Sequence, residues 1–320
     1  MLRIGLLGAS KIAPTAVLAP VAKSDAFVVS AVAARDPARA RAYAETHAIA
    51  GVADDYAALV RRDDVDIVYN GLPPGGHLEW TVAALEAGKA VLCEKPFARN
   101  AAEAAKMVAA AERTGGLLLE AFHYRHHAVI LRAEAIVASG ALGRLTSGEG
   151  VFNVAIPNTP GELRWIAEQG GGGLMDLGCY PLHALRTLIG EEPEVAAAKA
   201  RFEGRVDAEL SATLRFPGGV DATIACAMIA ERPEATLTLT GEKGRMTIVN
   251  FLAPQMGCRF TTTIAGVTTA EPVDGPTTYE AQLEHLRAVM LEGARPLTGG
   301  ADAVSNMTVI DAIYRAAGRA

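Results

Sequence analysis

Along the first 120 residues, short runs of apolar or β-branched residues alternate with longer stretches of helical periodicity, which predicts a parallel sheet wrapped by helices. The runs place strands at 2–7, 28–33, 66–71, 90–93 and 117–121, and helices at 12–22, 37–46, 77–87 and 101–113. In the last helix Glu103, Lys106, Glu112 and Arg113 keep one face wet among alanines. Each crossover is long enough to return right-handed to the same sheet, as in a doubly wound Rossmann domain.

From about residue 125 the period falls to two, the signature of antiparallel strands with one covered face. Leu210, Ala212, Leu214 and Phe216 point one way, and Glu209, Ser211, Thr213 and Arg215 the other. Pro217-Gly218-Gly219 turns the chain into a run with Ala222, Ile224, Cys226 and Met228 inward; Leu237 and Leu239 continue the pattern before a turn at Glu242-Lys243-Gly244. One helix starts near Gly173-Leu174-Met175-Asp176. Another starts at Thr277, which has capping-box spacing to Glu280 and presents Tyr279, Leu283, Leu286 and Met290 on one face. A last helix, 301–316, is read as packing back on the first domain. The fold class is therefore α/β: a Rossmann domain, 1–122, then an α+β domain, 123–320, with an open, mostly antiparallel sheet. Gly170 to Gly173 reads as a close-approach loop.

Composition narrows the function. With 320 residues, half of them hydrophobic, the chain can bury two cores, and a net charge of -6 leaves no basic stripe for nucleic acid. Cys93, Cys179, Cys226 and Cys258 have no paired spacing, so reduced thiols of a cytoplasmic protein are expected. Leu2 to Leu7 is too short for a secretory signal, and no uncharged run nears the roughly 20 residues of a membrane span.

Gly5-Leu6-Leu7-Gly8-Ala9-Ser10-Lys11-Ile12-Ala13 lies where the first strand turns into the first helix. Gly8 allows the tight turn, Ser10 stands where a second glycine is usual, and Ala13 lets the helix approach the strand; the loop and helix start face a pyrophosphate with unpaired N–H groups. At the end of the second strand, Ala34 replaces the carboxylate that receives ribose hydroxyls, and Arg35 follows. A guanidinium there suits a 2′-phosphate, favouring NADP(H) with NAD(H) as the alternative. The other reading of Arg35 is a solvated strand-end charge.

Glu94-Lys95-Pro96 at the end of a later strand, Ala33-Ala34-Arg35-Asp36, Pro73-Pro74 with His77, and Gly171-Gly172-Gly173-Leu174-Met175-Asp176-Leu177-Gly178-Cys179-Tyr180 together resemble the Gfo/Idh/MocA oxidoreductases, nearest the dihydrodiol dehydrogenase, anhydrofructose reductase and glucose-fructose oxidoreductase branches. The resemblance implies a cofactor site of Gly8, Ala9, Ser10, Lys11, Ile12, Ala34, Arg35, Leu72, Pro73, His77, Glu94 and Lys95. It makes Lys95 and Tyr180 the catalytic pair and puts Pro96 in a cis bond. A phenol and an ammonium converging on the substrate oxygen stabilise its developing negative charge, and the ammonium lowers the phenol's pKa.

Asp176, His183, Trp165 and Arg164 are the candidate substrate contacts. Asp176, Tyr180 and His183 share a helix face by spacing. Asp176 reads equally as a helix cap and His183 as a core histidine, Trp165 equally as packing, and Tyr180 and His183 both remain candidates for the main proton-transfer group. His123, His126 and His127 are read as a polar connection without metal, and Glu120 as lying at the carboxyl edge of the sheet. The resemblance implies hydride transfer to or from a sugar, cyclic polyol or dihydrodiol. Its alternatives are a catalytically silent regulator and redox-assisted glycoside hydrolysis. It also implies a homodimer or homotetramer built through the second domain's sheet.

Overall fold

The computed structural model describes residues 1–319 and forms two compact units, Met1–Phe122 with Tyr279–Val304, and His123–Thr278 with Ser305 onward. Ala320, where the second sequence-based range ends, lies outside the described residues. Among the described residues no helix is long and apolar enough to cross a membrane.

The first unit is a parallel six-stranded sheet of β1 (Leu2–Leu7), β2 (Phe27–Ala33), β3 (Gly51–Val52), β4 (Ile67–Asn70), β5 (Ala90–Cys93) and β6 (Leu118–Glu120), in the order β3-β2-β1-β4-β5-β6. The order reverses between β1 and β4, so the crevice at their carboxyl ends is where such a sheet takes a ligand. The helices are α1 (Ala19–Val21), α2 (Pro37–Thr46), α3 (Tyr56–Val60), α4 (His77–Glu86) and α5 (Ala101–Thr114). Asp36, Asp55 and Asn100 cap α2, α3 and α5 by accepting from the amides of Ala38, Ala58 and Glu103. The pattern did not predict β3 or α3, which are too short to show a period.

The first crossover departs from the regular helix expected at 12–22. It opens as a π-helical turn, Pro14–Leu18, whose Ala19 amide bonds to Pro14 O, and only then becomes α1. Pro20 has no N–H to continue an α ladder, so the register widens just before it.

The helix Thr278–Glu292 supplies part of the first unit's core. Leu283 and Leu286 are buried with Ile4, Leu6, Val17, Tyr69 and Leu92, and Tyr279 and Met290 pack against them, so the predicted apolar face is the buried one. The returning segment is thus 279–304, whereas 301–316 was expected; the helix Gly300–Ala316 belongs to the second unit from Ser305 on.

The second unit is an eight-stranded sheet of β7 (Leu145–Asn153), β8 (Glu194–Glu203), β9 (Val206–Arg215), β10 (Asp221–Ala227), β11 (Glu234–Gly241), β12 (Gly244–Val249), β13 (Arg259–Ile264) and β14 (Val267–Ala270), ordered β14-β13-β12-β11-β7-β10-β9-β8. Only β7 and β10 run parallel. The alternation holds: Leu210, Ala212, Leu214, Ala222, Ile224, Cys226, Leu237 and Leu239 are buried, while Glu209, Ser211, Arg215 and Thr223 are exposed. The unit's helices include α6 (Ala128–Ala138) and α7 (Cys179–Ile189). Pro181 and Leu185 of α7 lie against the bare main chain of Gly148 and Gly150 in β7.

A second π-helical turn, Leu174–Gly178, leads into α7, with the Cys179 amide bonded to Leu174 O, again just ahead of a proline, Pro181. Asp207 fixes its start: the buried carboxylate accepts from the Leu174 amide at 2.7 Å and from the Tyr314 hydroxyl at 2.8 Å. At Gly172, φ is +144°, and a Cβ would stand 2.2 Å from Asp207 Oδ1, so the glycine run is a close approach as read.

Two outcomes follow. Leu286→Ala should destabilise the first unit by about 2–5 kcal/mol in urea titrations, as for a buried core leucine; a change under about 0.5 kcal/mol would place the helix outside that core. Burial raises the Asp207 carboxyl above its usual range, against the opposing hydrogen bonds. A raised folded-state pKa gives stability that is full below the unfolded pKa, about 4, and is lost as pH rises through the folded value. Asp207→Asn, neutral throughout, should therefore gain on the wild type in denaturant midpoints as pH rises from about 4, the unfolded value, through the raised folded one. A pH-independent difference would contradict the shift.

Candidate active site

At the end of β1 the chain turns at Gly8, which has φ +93° and donates its amide to Ala33 O at 2.9 Å; a Cβ there would lie 3.1 Å from Leu72 Cδ2. The Ala13 amide donates to Ser10 Oγ at 3.3 Å, and Ala13 itself is buried. The amides of Ala9, Ser10, Lys11 and Ile12 find no acceptor among the described residues. Ala9 is buried, whereas Lys11 and Ile12 are exposed. Consecutive open N–H groups around a glycine turn form a concavity for an anion, so this loop fits a dinucleotide's diphosphate.

The end of β2 carries no carboxylate: Ala34 is buried and Arg35 is exposed. The sequence reading missed two groups beside it. Arg39 on α2 donates from Nη2 to Ala9 O at 2.8 Å, and Tyr43 donates its hydroxyl to Ser10 O at 3.1 Å. Both lie one helical turn apart on α2, a spacing that would have flagged them as facing the loop. Two guanidinium groups, with an alanine in place of a carboxylate at position 34 and the Asp36 carboxylate turned to cap α2, fit a 2′-phosphate.

Lys95 follows β5 and is half-buried, and the Lys95–Pro96 bond is cis. Its setting is built from buried groups. Glu94 accepts the Tyr69 hydroxyl at 2.6 Å and the Lys95 amide at 3.2 Å. The buried His77 ring joins this segment to the loop after β4, with Nε2 2.7 Å from Leu72 O and Nδ1 3.1 Å from both Pro96 O and Phe97 O. Burial lowers the His77 pKa, although the carbonyls at both ring nitrogens oppose this. His77 thus acts on its surroundings through main chain it holds, while Leu72 and Pro73 remain half-exposed at the sheet's carboxyl edge. Glu120 ends β6, buried, and its carbonyl accepts the Thr298 hydroxyl at 2.7 Å.

In the second unit Tyr180 stands in the first turn of α7, 5% exposed. Tyr124, Phe152 and His123 meet its ring edge-on, with centroids 5.9, 5.7 and 5.7 Å away. Its hydroxyl lies 3.2 Å from His123 Nε2, and His123 Nδ1 lies 2.8 Å from Thr278 Oγ1. His183 is fully buried, its Nδ1 2.6 Å from the Tyr124 hydroxyl.

The remaining candidates scatter. Asp176 Oδ2 pairs with Arg164 Nε at 2.8 Å, and Arg164 also reaches Glu162 at 3.2 Å. Trp165 donates Nε1–H to Ile156 O at 2.9 Å and lines a surface hollow with Ile156, Asn158, Glu203 and Met228. The shared face expected for Asp176, Tyr180 and His183 assumed an unbroken α-helix; the π-turn intervenes, and each of the three has its own partner. His127 caps α6 by accepting the Val129 amide at 3.1 Å. Among the described residues no group of His, Cys, Asp or Glu is arranged to hold a metal. The role of His123 beside Tyr180 was not legible, because the contact joins residues 57 positions apart.

Known proteins agree with this architecture. Residues 2–122 match the family model described as "Oxidoreductase family, NAD-binding Rossmann fold", and residues 130–247 the "GFO/IDH/MocA C-terminal domain". The chain is 32% identical over 318 residues to a D-xylose 1-dehydrogenase (NADP(+)) of Haloferax volcanii, covering 98% of this chain and 96% of that protein. It is 36% identical over 253 residues to the trans-1,2-dihydrobenzene-1,2-diol dehydrogenase of Sus scrofa, covering 78% and 74%. The crystal structure of an aldose-aldose oxidoreductase from Caulobacter crescentus, complexed with glycerol, superposes with a TM-score of 0.91 at 30% identity, over 99% of this chain and 97% of that one. With both halves matched, the chain belongs to the Gfo/Idh/MocA family of oxidoreductases.

Proposed function

We propose that this oxidoreductase uses NADP(H) to move a hydride to or from the carbinol carbon of a sugar, cyclic polyol or dihydrodiol. A bound nicotinamide supplies or takes the hydride; the chain's own residues bind, orient and handle the proton. The amides of Ala9 to Ile12 hold the diphosphate, with Gly8 leaving room for it. Arg35 and Arg39 hold the 2′-phosphate, which a carboxylate at position 34 would repel. Lys95 stabilises negative charge on the alcohol or carbonyl oxygen, and Tyr180 exchanges the proton with it.

The observation that carries this reading is the fixing of the Lys95 segment by His77 and by Glu94 with Tyr69, since a charge stabiliser works when it need not reorganise. The NADP(+)-dependent xylose dehydrogenase and the dihydrodiol dehydrogenase support the substrate class. The open sheet face, with Val151, Ala225, Thr236 and Thr247 half-buried among exposed Glu209, Ser211 and Thr223, supports a homodimer or homotetramer. Four free thiols suit the cytoplasm.

Nicotinamide absorbance with D-xylose, myo-inositol and trans-1,2-dihydrobenzene-1,2-diol tests the reading. Lys95→Met and Tyr180→Phe should each lower kcat by roughly 10²–10⁴-fold; wild-type turnover in Lys95→Met removes its role. Arg35→Ala should weaken NADPH by about tenfold or more while leaving NADH nearly unchanged, the signature of a lost charge-assisted phosphate contact. Equal losses for both cofactors would argue against the 2′-phosphate assignment.

A further inference from the structure

Tyr180 does not stand alone in its unit. Its hydroxyl meets His123 Nε2 at 3.2 Å, and the far ring nitrogen, Nδ1, meets Thr278 Oγ1 at 2.8 Å. The three residues are 5%, 8% and 0% exposed, so water competes little for these bonds. The rings of Tyr180 and His123 are set edge to face at 66°, and Tyr124 and Phe152 close other sides of the phenol. Thr278 is the first residue of its helix. When Nδ1–H donates to Thr278 Oγ1, the Nε2 lone pair is left facing the phenol, whichever way the phenol oxygen's other side is used.

We propose that His123, held in one tautomer by Thr278, is the proton relay behind Tyr180; this rests on the reading of Tyr180 as the group that exchanges the substrate proton. In the oxidative direction the carbinol C–H leaves as hydride to the nicotinamide, and the alcohol O–H proton passes to the Tyr180 oxygen. The phenolic proton passes to His123 Nε2, which ends as an imidazolium with Nδ1–H still on Thr278. One hydride and one proton leave the alcohol, and a ketone or aldehyde remains. The reductive direction runs the same transfers backwards. His123 never touches substrate and is a positioning and relay residue. It also resolves a chemical need: a phenol with its proton in place is a poor base at neutral pH, and a buried acceptor at its back lets it receive one proton while giving up another.

The test uses the full chain with NADP+ and the three alcohols named above. His123→Phe should lower kcat by roughly 10–10²-fold with unchanged KM and NADPH affinity. The double variant with Tyr180→Phe should be no slower than Tyr180→Phe alone, because both act in one step. His123→Gln keeps a polar atom near Nε2 but cannot take up a proton. Its solvent-deuterium proton inventory should be linear where the wild type's is curved, a change that a merely structural role would not produce. Independently of turnover, the Nε2 signal of His123 in ring-15N-labelled protein should move in Tyr180→Phe. Full turnover by Tyr180→Phe, or none by the wild type on these alcohols, would sink the functional reading and the relay together. A slow Tyr180→Phe whose loss multiplies with that of His123→Phe, or a His123 signal indifferent to Tyr180→Phe, would sink the relay alone.

Discussion

A polar group sealed from water without a partner costs about 1–3 kcal/mol, and that constraint fixes the surroundings of Lys95 and Tyr180 in their two units. In the first unit, the buried His77 ring must find partners for two nitrogens, and it finds them on Leu72, Pro96 and Phe97, tying the loop after β4 to the segment that carries Lys95. Glu94 is held in turn by Tyr69. In the second unit the buried Asp207 takes the Leu174 amide, and the helix bearing Tyr180 begins where that bond allows. The same requirement acts on Tyr180 and His183, which meet His123 and Tyr124.

Two prolines shape what these bonds hold. Pro20 and Pro181 each follow a π-helical turn, Pro14–Leu18 and Leu174–Gly178, where the bonding register opens to i−5. A missing N–H would otherwise leave a carbonyl unserved within the first turns. The wider register changes the angle at which successive side chains leave the axis, so residues four apart no longer stack as in an α-helix. That is why Asp176 pairs with Arg164 while Tyr180 turns to His123.

The larger elements were legible because their signals are periodic and local. The strands of the Rossmann sheet other than the two-residue β3, and β9 to β11, announced themselves by apolar runs or strict alternation, and the helix Thr278–Glu292 by a four-residue apolar face. β7 was not legible, since Gly148 and Gly150 stand on its covered side, where α7 leaves no room for side chains. β8 does alternate, with Ala198, Ala200 and Phe202 half-buried and Lys199 and Arg201 exposed, but its run of alanines and the register shift between Val195 and Ala197 blur the apolar signal. Within the site, Gly8, Arg35 and the Glu94-Lys95-Pro96 segment could be named from spacing and resemblance. Arg39 and Tyr43 could have been found from their turn of α2. The partners of Tyr180 could not, for His123 and Thr278 come from distant parts of the chain, and in sequence His123 is one of three histidines in a polar stretch.

The histidines of that stretch show how one residue type takes separate roles through its neighbours. His127 uses a ring nitrogen to cap α6, a backbone duty that a serine or aspartate performs at other helices. His123 turns both nitrogens to side-chain hydroxyls, one of them a phenol that stands in the first turn of α7. Of these two arrangements only the second joins groups that can all gain or lose a proton without breaking main-chain structure. A cap is consumed by the fold it stabilises, whereas a chain of hydroxyl, imidazole and phenol keeps its protons exchangeable, and chemistry can be drawn from it.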